Sequence, residues 1–150
     1  MGLGTRHTVN TMGKPLSAMQ RNQLLKKAMG ALAKGDAKSA FKAAAQVAMY
    51  NPADADALIM LSQAAPNAGG IKEALRIFAS AMKSNPGNED TLICWGNLKA
   101  AAGDLPGAEG AFRRAVKHAP KSNGAQLNLA NTLSQIGKTG EAIGLFEQVV

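Results

Sequence analysis

The chain of 150 residues is short of the residue types on which several classes of protein depend. Aromatic residues make up only 4%, so a β-sheet has little material, whereas the abundant alanine favours helices. The single cysteine, Cys94, excludes an internal disulfide and fits a reducing compartment. No apolar run is long enough for a membrane span or a secretory signal. We therefore expect a cytoplasmic protein without membrane insertion.

The sequence also lacks a set of residues for catalysis or metal binding. Its two histidines, His7 and His118, are distant from each other and from Cys94, and they form neither a metal set nor a catalytic pair. Residues 137–139 (Gly-Lys-Thr) resemble the end of a phosphate-binding loop, but Thr132 stands where that loop requires glycine. A turn between two helices accounts for this segment. We expect no enzyme activity, no metal and no cofactor within this chain.

Acidic residues are scarce at the N-terminal end. Residues 1–50 contain eight basic residues and one acidic residue, whereas residues 51–150 contain nine of each. This asymmetry can mark a surface for an acidic partner, although a hydrated, lysine-covered surface has the same composition. Only Phe41 and Tyr50 could stack on bases in this region, so nucleic-acid binding is poorly supported.

What the sequence does contain is a period of 34 residues. Three series of residues share it, namely Gly35, Gly69, Gly103 and Gly137, then Ala40, Ala74, Ala108 and Ala142, and finally Pro52, Pro86 and Pro120. Glycine tolerates the left-handed backbone that ends a helix, and proline cannot continue a helix. A period of this length, with small residues and prolines in register, is typical of a helical-repeat array.

Each period predicts two antiparallel helices. In the second unit they span about residues 55–65 and 71–84, with a break at 67–70, and Pro66 is expected to weaken the end of the first. Small residues should let paired helices approach closely, and large ones should fill the space between pairs, the large ones being Phe78, Trp95, Phe112 and Phe146. The first unit diverges, because Lys27 and Ala44 stand where later units carry large apolar residues.

This pattern resembles the tetratricopeptide repeat over about residues 21–150. The segment from Trp95-Gly96 through Gly103, Ala108 and Phe112 to Pro120 follows the family pattern closely. The resemblance implies an all-α, right-handed α-solenoid of antiparallel helix pairs, in the style of bacterial arrays. We expect a polar, basic leader at 1–20, partly disordered or starting a helix, and units at 21–54, 55–88, 89–122 and 123–150. The last unit is incomplete and ends on apolar residues, which predicts a chain cut from a longer protein and self-association through the uncapped end.

In the resembled family the first helices of successive units line a concave groove that holds a peptide or a partner helix. Two rows of residues on these helices have the 34-residue period and are predicted to bind the partner. The aliphatic row is Leu25, Ile59, Ile93 and Leu127, and the second, mostly amide row is Met29, Gln63, Asn97 and Asn131. Asn128 is predicted to belong to the same site. Amide side chains can form hydrogen bonds with the backbone of an extended peptide, while aliphatic residues contact every second side chain of that peptide. The alternative is that the aliphatic row packs between first helices and the amides are only hydrated.

Two better-known groove types within the family match the chain incompletely. The segment from Asn128 to Asn131 is similar to the repeats of O-linked N-acetylglucosamine transferases, whose groove asparagines hold substrate backbone. The earlier units replace the first asparagine by Met60 and Cys94. The groove that grips the C-terminal carboxylate of heat-shock chaperones uses lysine, asparagine and arginine. The corresponding places here carry Leu25, Met29, Met60, Asp90 and Cys94, which argues against that specificity.

Three functions are therefore compatible with the sequence. The first is a non-catalytic protein–protein interaction module, a scaffold or adaptor that binds a peptide or partner segment in its groove. The second is a substrate-positioning domain of a larger enzyme, such as a sulfotransferase or glycosyltransferase, whose catalytic part lies outside this chain. The third is binding of an anionic partner through the basic first 50 residues. We favour them in that order.

Overall fold

The computed structural model describes residues 14–85 and 88–150, and these residues form eight α-helices. The helices are α1 (Ala18–Ala33), α2 (Ala37–Tyr50), α3 (Ala55–Ala68), α4 (Ile71–Ser84), α5 (Glu89–Ala101), α6 (Leu105–His118), α7 (Asn123–Ile136) and α8 (Thr139–Val149). Consecutive helices contact each other throughout, in four pairs with the period of the sequence. The prediction of an all-α array of helix pairs is confirmed. Of the predicted leader, residues 1–13 lie outside the described residues.

The ends of the helices follow from local side-chain chemistry. Six helices begin after an Asp, Asn or Ser whose side chain accepts the backbone N–H three residues on, and these caps are Ser17, Asp36, Asp54, Asn88, Asp104 and Ser122. Ser17 and Gln20 form a reciprocal capping box at the start of α1. After each first helix the periodic glycine has a left-handed backbone, with φ between 71° at Gly69 and 95° at Gly137. The periodic glycines therefore terminate the first helix of every pair.

The end of α3 differs from the sequence prediction. The helix extends three residues beyond the expected end at residue 65, through Pro66 to Ala68. Proline removes one backbone donor and crowds the preceding turn, and both effects are tolerable near a helix end. There the backbone N–H of Gly70 donates to the carbonyl of Ala65 at 2.9 Å, and Gly69 supplies the left-handed turn. The turn after Pro66 thus closes the helix in spite of the proline.

Small residues in each pair let the helices approach closely. The periodic alanines of the second helices, Ala40, Ala74, Ala108 and Ala142, are all buried. Between α5 and α6 the approach is close, because a Cβ added to Gly96 would lie 2.5 Å from the ring of Phe112. The large residues predicted to fill the space between pairs do so at Phe78 and Phe112, which are fully buried. The buried residues form three hydrophobic clusters, and the partly buried side chains of Ile93, Trp95 and Val116 pack against more than one of them.

The first unit compensates for the alanine that replaces its periodic phenylalanine. Ala44 is fully buried, and the aromatic ring in this layer is supplied one turn earlier by Phe41. The Phe41 ring lies against Gly70 at the start of α4, where an added Cβ would be 2.6 Å from the ring. A one-turn shift keeps Phe41 on the same face of α2 as Ala44. Leu75 and Ile143 occupy the same place in the 34-residue period, so a large apolar residue recurs there in three of the four units.

Candidate functional site

The first helices of the four units form one continuous row. Contacts connect α1 to α3, α3 to α5 and α5 to α7, whereas among the second helices of the described chain only α2 and α4 contact each other. A row whose members are closer together lies on the inside of a curved stack. The first helices therefore form the inner surface on which the predicted groove residues lie.

The amide row is available to a partner along this surface. Gln63, Asn97 and Asn131 are exposed on α3, α5 and α7, and Met29 on α1 is 57% exposed. Asn128, one turn before Asn131, is half-buried. Exposed amides without an apolar cover can donate to and accept from an extended backbone.

The solvent exposure of the aliphatic row increases from the first unit to the last. Leu25 is only 6% exposed and belongs to the core, Ile59 and Ile93 are half-buried, and Leu127 is 38% exposed. Ile59 lies one turn before Gln63 on the same face of α3, as Ile93 does before Asn97 on α5. The accessible part of the aliphatic row therefore extends over units two to four, and in unit one Met29 rather than Leu25 is exposed on this surface.

Two carboxylates share this face and were not among the predicted site residues. Asp56 and Asp90 are exposed and precede Ile59 and Ile93 by three residues, which places them on the same side of α3 and α5. Arg21 of α1 donates to Asp56 at 2.8 Å, so Asp56 is already paired. The 34-residue spacing of the two aspartates was the signal from which they could have been identified. Because Asp56 is paired, Asp90 is the exposed carboxylate that this face offers in the middle of the inner surface.

The same arginine fixes the first unit to the second. Arg21 Nε donates to Asp54 Oδ2 at 2.6 Å, and its Nη2 donates to Oδ1 at 3.1 Å. Burial would raise the pKa of the Asp54 carboxyl, but the hydrogen bonds from Arg21 and from the backbone of Ala57 outweigh it and lower this pKa below its ordinary value. The carboxylate is therefore both the cap of α3 and the charged partner of Arg21.

Cys94 is a packing residue between two first helices. It is buried in the core, and Ser62 of the preceding first helix, which donates to the carbonyl of Ile59 at 2.8 Å, lies near enough to affect its pKa. Burial raises the pKa of the Cys94 thiol, and the charge of Asp90 adds to this effect. A neutral, buried thiol is a poor nucleophile and a poor metal ligand. Among residues 14–85 and 88–150, no group of three or more His, Cys, Asp or Glu side chains could hold a metal ion.

The basic residues of the first unit lie at the N-terminal end of the stack. Lys26, Lys27 and Lys34 line an open cavity of about 340 Å³ together with Asp36 and Ser39. Binding of an acidic partner by these residues stays a prediction. None of the described helices is both long and apolar enough to cross a membrane.

Comparison with known proteins agrees with this geometry. Two family models described as tetratricopeptide repeat match the chain, one over residues 31–92 and the other over residues 95–150. The comparison with curated protein sequences gave no match.

Solved structures of repeat proteins superimpose on most of the chain. A thermophilic TPR protein of Thermus thermophilus has a TM-score of 0.72 at 18% identity, over 86% of this chain and 72% of that chain. The first TPR domain of Spaghetti (RPAP3), bound to the HSP90 peptide SRMEEVD, has a TM-score of 0.68 at 14% identity, over 83% and 99%. An O-GlcNAc transferase of Thermobaculum terrenum has a TM-score of 0.63 at 23% identity, over 77% and 22%. At these identities the likeness is one of fold.

Proposed function

Because this chain belongs to the tetratricopeptide-repeat family, we propose that it is a non-catalytic protein-interaction module whose inner surface binds an extended segment of a partner protein. The observation that carries the proposal is the row of exposed amides on successive first helices, at Gln63, Asn97 and Asn131. Amides at a constant step can pair repeatedly with the backbone of an extended chain, whatever its side chains. The RPAP3 domain with its bound peptide supports peptide binding by this fold.

Apolar side chains of the partner would lie against the half-buried aliphatic residues. Ile59 and Ile93 are each one helical turn from an amide, and Leu127 exposes more surface than either. An apolar side chain that covers the exposed part of these residues removes that surface from water. We expect the strongest contacts over units two to four.

The partner would carry a positive charge opposite α5. Asp90 is exposed on the same face as Ile93 and Asn97, whereas Asp56 is paired with Arg21. A lysine or arginine of the partner near Asp90 would gain a charge-assisted hydrogen bond, and a glutamate in its place would be repelled. Because Asp90 would repel an acidic peptide, this groove should differ in specificity from a groove that selects an acidic C-terminal peptide.

The proposal can be tested with matched peptides. We would select binders from fluorescein-labelled decapeptides in which leucine or valine alternates with serine and one position carries either lysine or glutamate. Fluorescence anisotropy against the 150-residue chain then gives the affinity. We expect the lysine peptides to bind more tightly, and the difference to disappear in Asp90→Asn.

The contribution of the amides needs a control in the same fold. The double variant Asn97→Ala with Asn131→Ala should reduce the affinity for the selected peptide by about tenfold or more, which corresponds to a loss of about 1.4 kcal/mol or more of binding free energy. Gln46→Ala with Gln148→Ala removes exposed amides from second helices and should leave the affinity unchanged. Equal loss in both double variants, or an unchanged affinity in the first, would refute groove binding. Thermal midpoints measured in parallel show whether either pair is structural.

A further inference from the structure

The second helices form the outer surface of the stack, and this surface has a groove between α2 and α4. Two cavities form the groove, one of about 280 Å³ with Phe41 and Ala45 in its lining and one of about 350 Å³ with Ile77 in its lining. Met49 and Glu73 line both cavities, so these two side chains lie where the cavities meet. We define the outer groove by these five residues. Both helices contact the helix before and the helix after them, so the outer groove lies within the stack.

Side chains of α6 and α8 bridge the equivalent place two units later. Arg113 of α6 donates to Glu141 of α8 at 2.8 Å, and its Nε donates to Glu109, one turn earlier on α6, at 2.8 Å. Lys138, at the start of α8, donates to Glu109 at 3.0 Å. These ion pairs connect the two helices although their backbones are farther apart than those of α2 and α4. An arginine at this place is therefore held between two carboxylates.

The two places have the same register. A step of two periods of 34 residues takes Lys138 to Gly70 and Glu109 to Phe41. The Phe41 ring lies against Gly70, where an added Cβ would be 2.6 Å from the ring. The same two positions thus meet in both places, by an ion pair in one and by a ring on a glycine in the other. The other positions of the two places can therefore be compared one by one.

Between α2 and α4 an alanine stands where the later units have the bridging arginine. The step of two periods takes Arg113 to Ala45 and Glu141 to Glu73. Glu73 is exposed, and among the described residues no side chain forms an ion pair or a hydrogen bond with it. The cavity of about 280 Å³ has both Ala45 and Glu73 in its lining. The acceptor of the arginine is thus present, beside a cavity at the position of the arginine side chain.

The rest of the outer groove is more apolar than the same surface in later units. Met49 is 48% exposed, whereas its counterparts are Lys83 and Lys117, which are exposed and charged. Ile77 is half-buried and lines the same cavity as Met49. A methionine is flexible and adapts its shape to the surface of a partner. The outer groove therefore presents apolar surface next to an unpaired carboxylate.

From these observations we propose that the outer groove binds a segment of a partner protein that inserts an arginine side chain between Ala45 and Glu73. The guanidinium takes the place that Arg113 occupies two units later and donates to the Glu73 carboxylate. The aliphatic part of the arginine lies on Met49, and an apolar neighbour in the partner covers Ile77. Lysine is a poorer occupant, because its ammonium group is more strongly hydrated and lacks the planar pair of donors.

The charges around the outer groove define the partner further. Lys42 lines one cavity and Arg76 lines the other, and both are exposed. A segment with acidic residues on both sides of its arginine is complementary to all three charged side chains. No arginine of the chain itself has an acidic residue within two positions, which argues against the leader and against a second copy as occupants. This site is separate from the inner surface of the first helices.

The methyl group of Met49 reports on the outer groove directly. Protein labelled with methyl-¹³C methionine is titrated with the blocked pentapeptide Glu-Leu-Arg-Leu-Glu, and the Met49 signal is assigned with Met49→Leu. We expect a saturable shift of this signal, and an affinity lower by about threefold to fivefold in Glu73→Gln. Glu147→Gln removes an exposed carboxylate from another second helix and should bind like the parent. The pentapeptide with lysine in place of arginine should bind more weakly.

A second variant supplies the arginine within the chain. Ala45→Arg should pair with Glu73, as Arg113 pairs with Glu141, and should prevent the pentapeptide from shifting the Met49 signal without lowering the thermal midpoint. Binding of the pentapeptide to Ala45→Arg as tightly as to the parent would contradict the proposal.

The remaining outcomes identify other occupants or none. An unmoved Met49 signal, equal affinity in Glu73→Gln and the parent, or equal affinity for the lysine pentapeptide overturns the proposal. A shift confined to Met29 would assign the pentapeptide to the inner surface. Tighter binding in Arg6→Gln would assign the outer groove to the leader, and a dimer that becomes monomeric in Glu73→Gln would assign it to a second copy.

Discussion

Substitution of Gly96 by alanine should destabilise the fold although it improves the helix. Gly96 lies inside α5, where alanine is intrinsically favoured over glycine by about 1 kcal/mol. An added Cβ would be 2.5 Å from Cε1 and 2.7 Å from Cζ of the Phe112 ring. The ring is only 2% exposed, so it cannot turn into solvent to make room. Overpacking of a core costs about 1–3 kcal/mol, and distances this short place Gly96→Ala near the upper limit.

The net change should be a loss of about 1–2 kcal/mol in the free energy of unfolding, or about 2–8 °C in Tm for a chain of this size. Chemical denaturation measures it, with Gly30→Ala as the control because nothing lies within 4 Å of a Cβ added there. Gly30→Ala should stabilise α1 by about 0.5–1 kcal/mol.

A double-mutant cycle isolates the contact that is responsible for the loss. In a Phe112→Ala background, Gly96→Ala should become neutral or stabilising, because the clash is gone. The reasoning is refuted if Gly96→Ala is as stable as the parent. It is also refuted if the loss persists without the Phe112 ring.

Three further predictions concern charge, reactivity and backbone conformation. The folded-state pKa of Asp54 lies below its ordinary value of 3.8, so its pairing with Arg21 stabilises the fold above about pH 4 and is lost as the pH falls through the folded-state pKa. Arg21→Met should therefore cost about 1–2 kcal/mol at pH 7, and a pH series of unfolding curves should show the difference shrinking below pH 4. Burial and a raised pKa should make Cys94 react with a disulfide reagent far more slowly in the folded protein than in denaturant, and equal rates would contradict its placement. Gly137→Ala should lower stability by about 1–2 kcal/mol because φ is 95°, whereas Gly140→Ala, which has open space and no positive φ, should not.

The fold could be predicted from sequence because its signals are local and repeated. A glycine that ends each first helix and a proline after each of the first three second helices need no tertiary information, and the period supplied several independent copies. Pro66 shows the limit of such reasoning. Its local effect is unfavourable, but the hydrogen bond from Gly70 to Ala65 closes the helix end beyond it.

The details of the core and the site depend on neighbours that the period does not specify. Phe41 fills the layer of Ala44 because Gly70, on another helix pair, leaves room for its ring. Leu25 occupies the same position in the repeat as Ile59, Ile93 and Leu127, but it is buried. The side chains that pack around α1 determine this burial, and the position of a residue in the repeat does not specify them. Asp56 and Asp90 lie one turn from the predicted residues on the same face, so helical phase could have included them.

The central claim is that a partner segment lies along the inner surface of the first helices. Amide chemical-shift mapping of the ¹⁵N-labelled protein with the tightest-binding decapeptide tests it most directly. The account predicts the largest perturbations on α3, α5 and α7, centred on Gln63, Asn97 and Asn131. Perturbations confined to the second helices α2, α4 and α6 would contradict it.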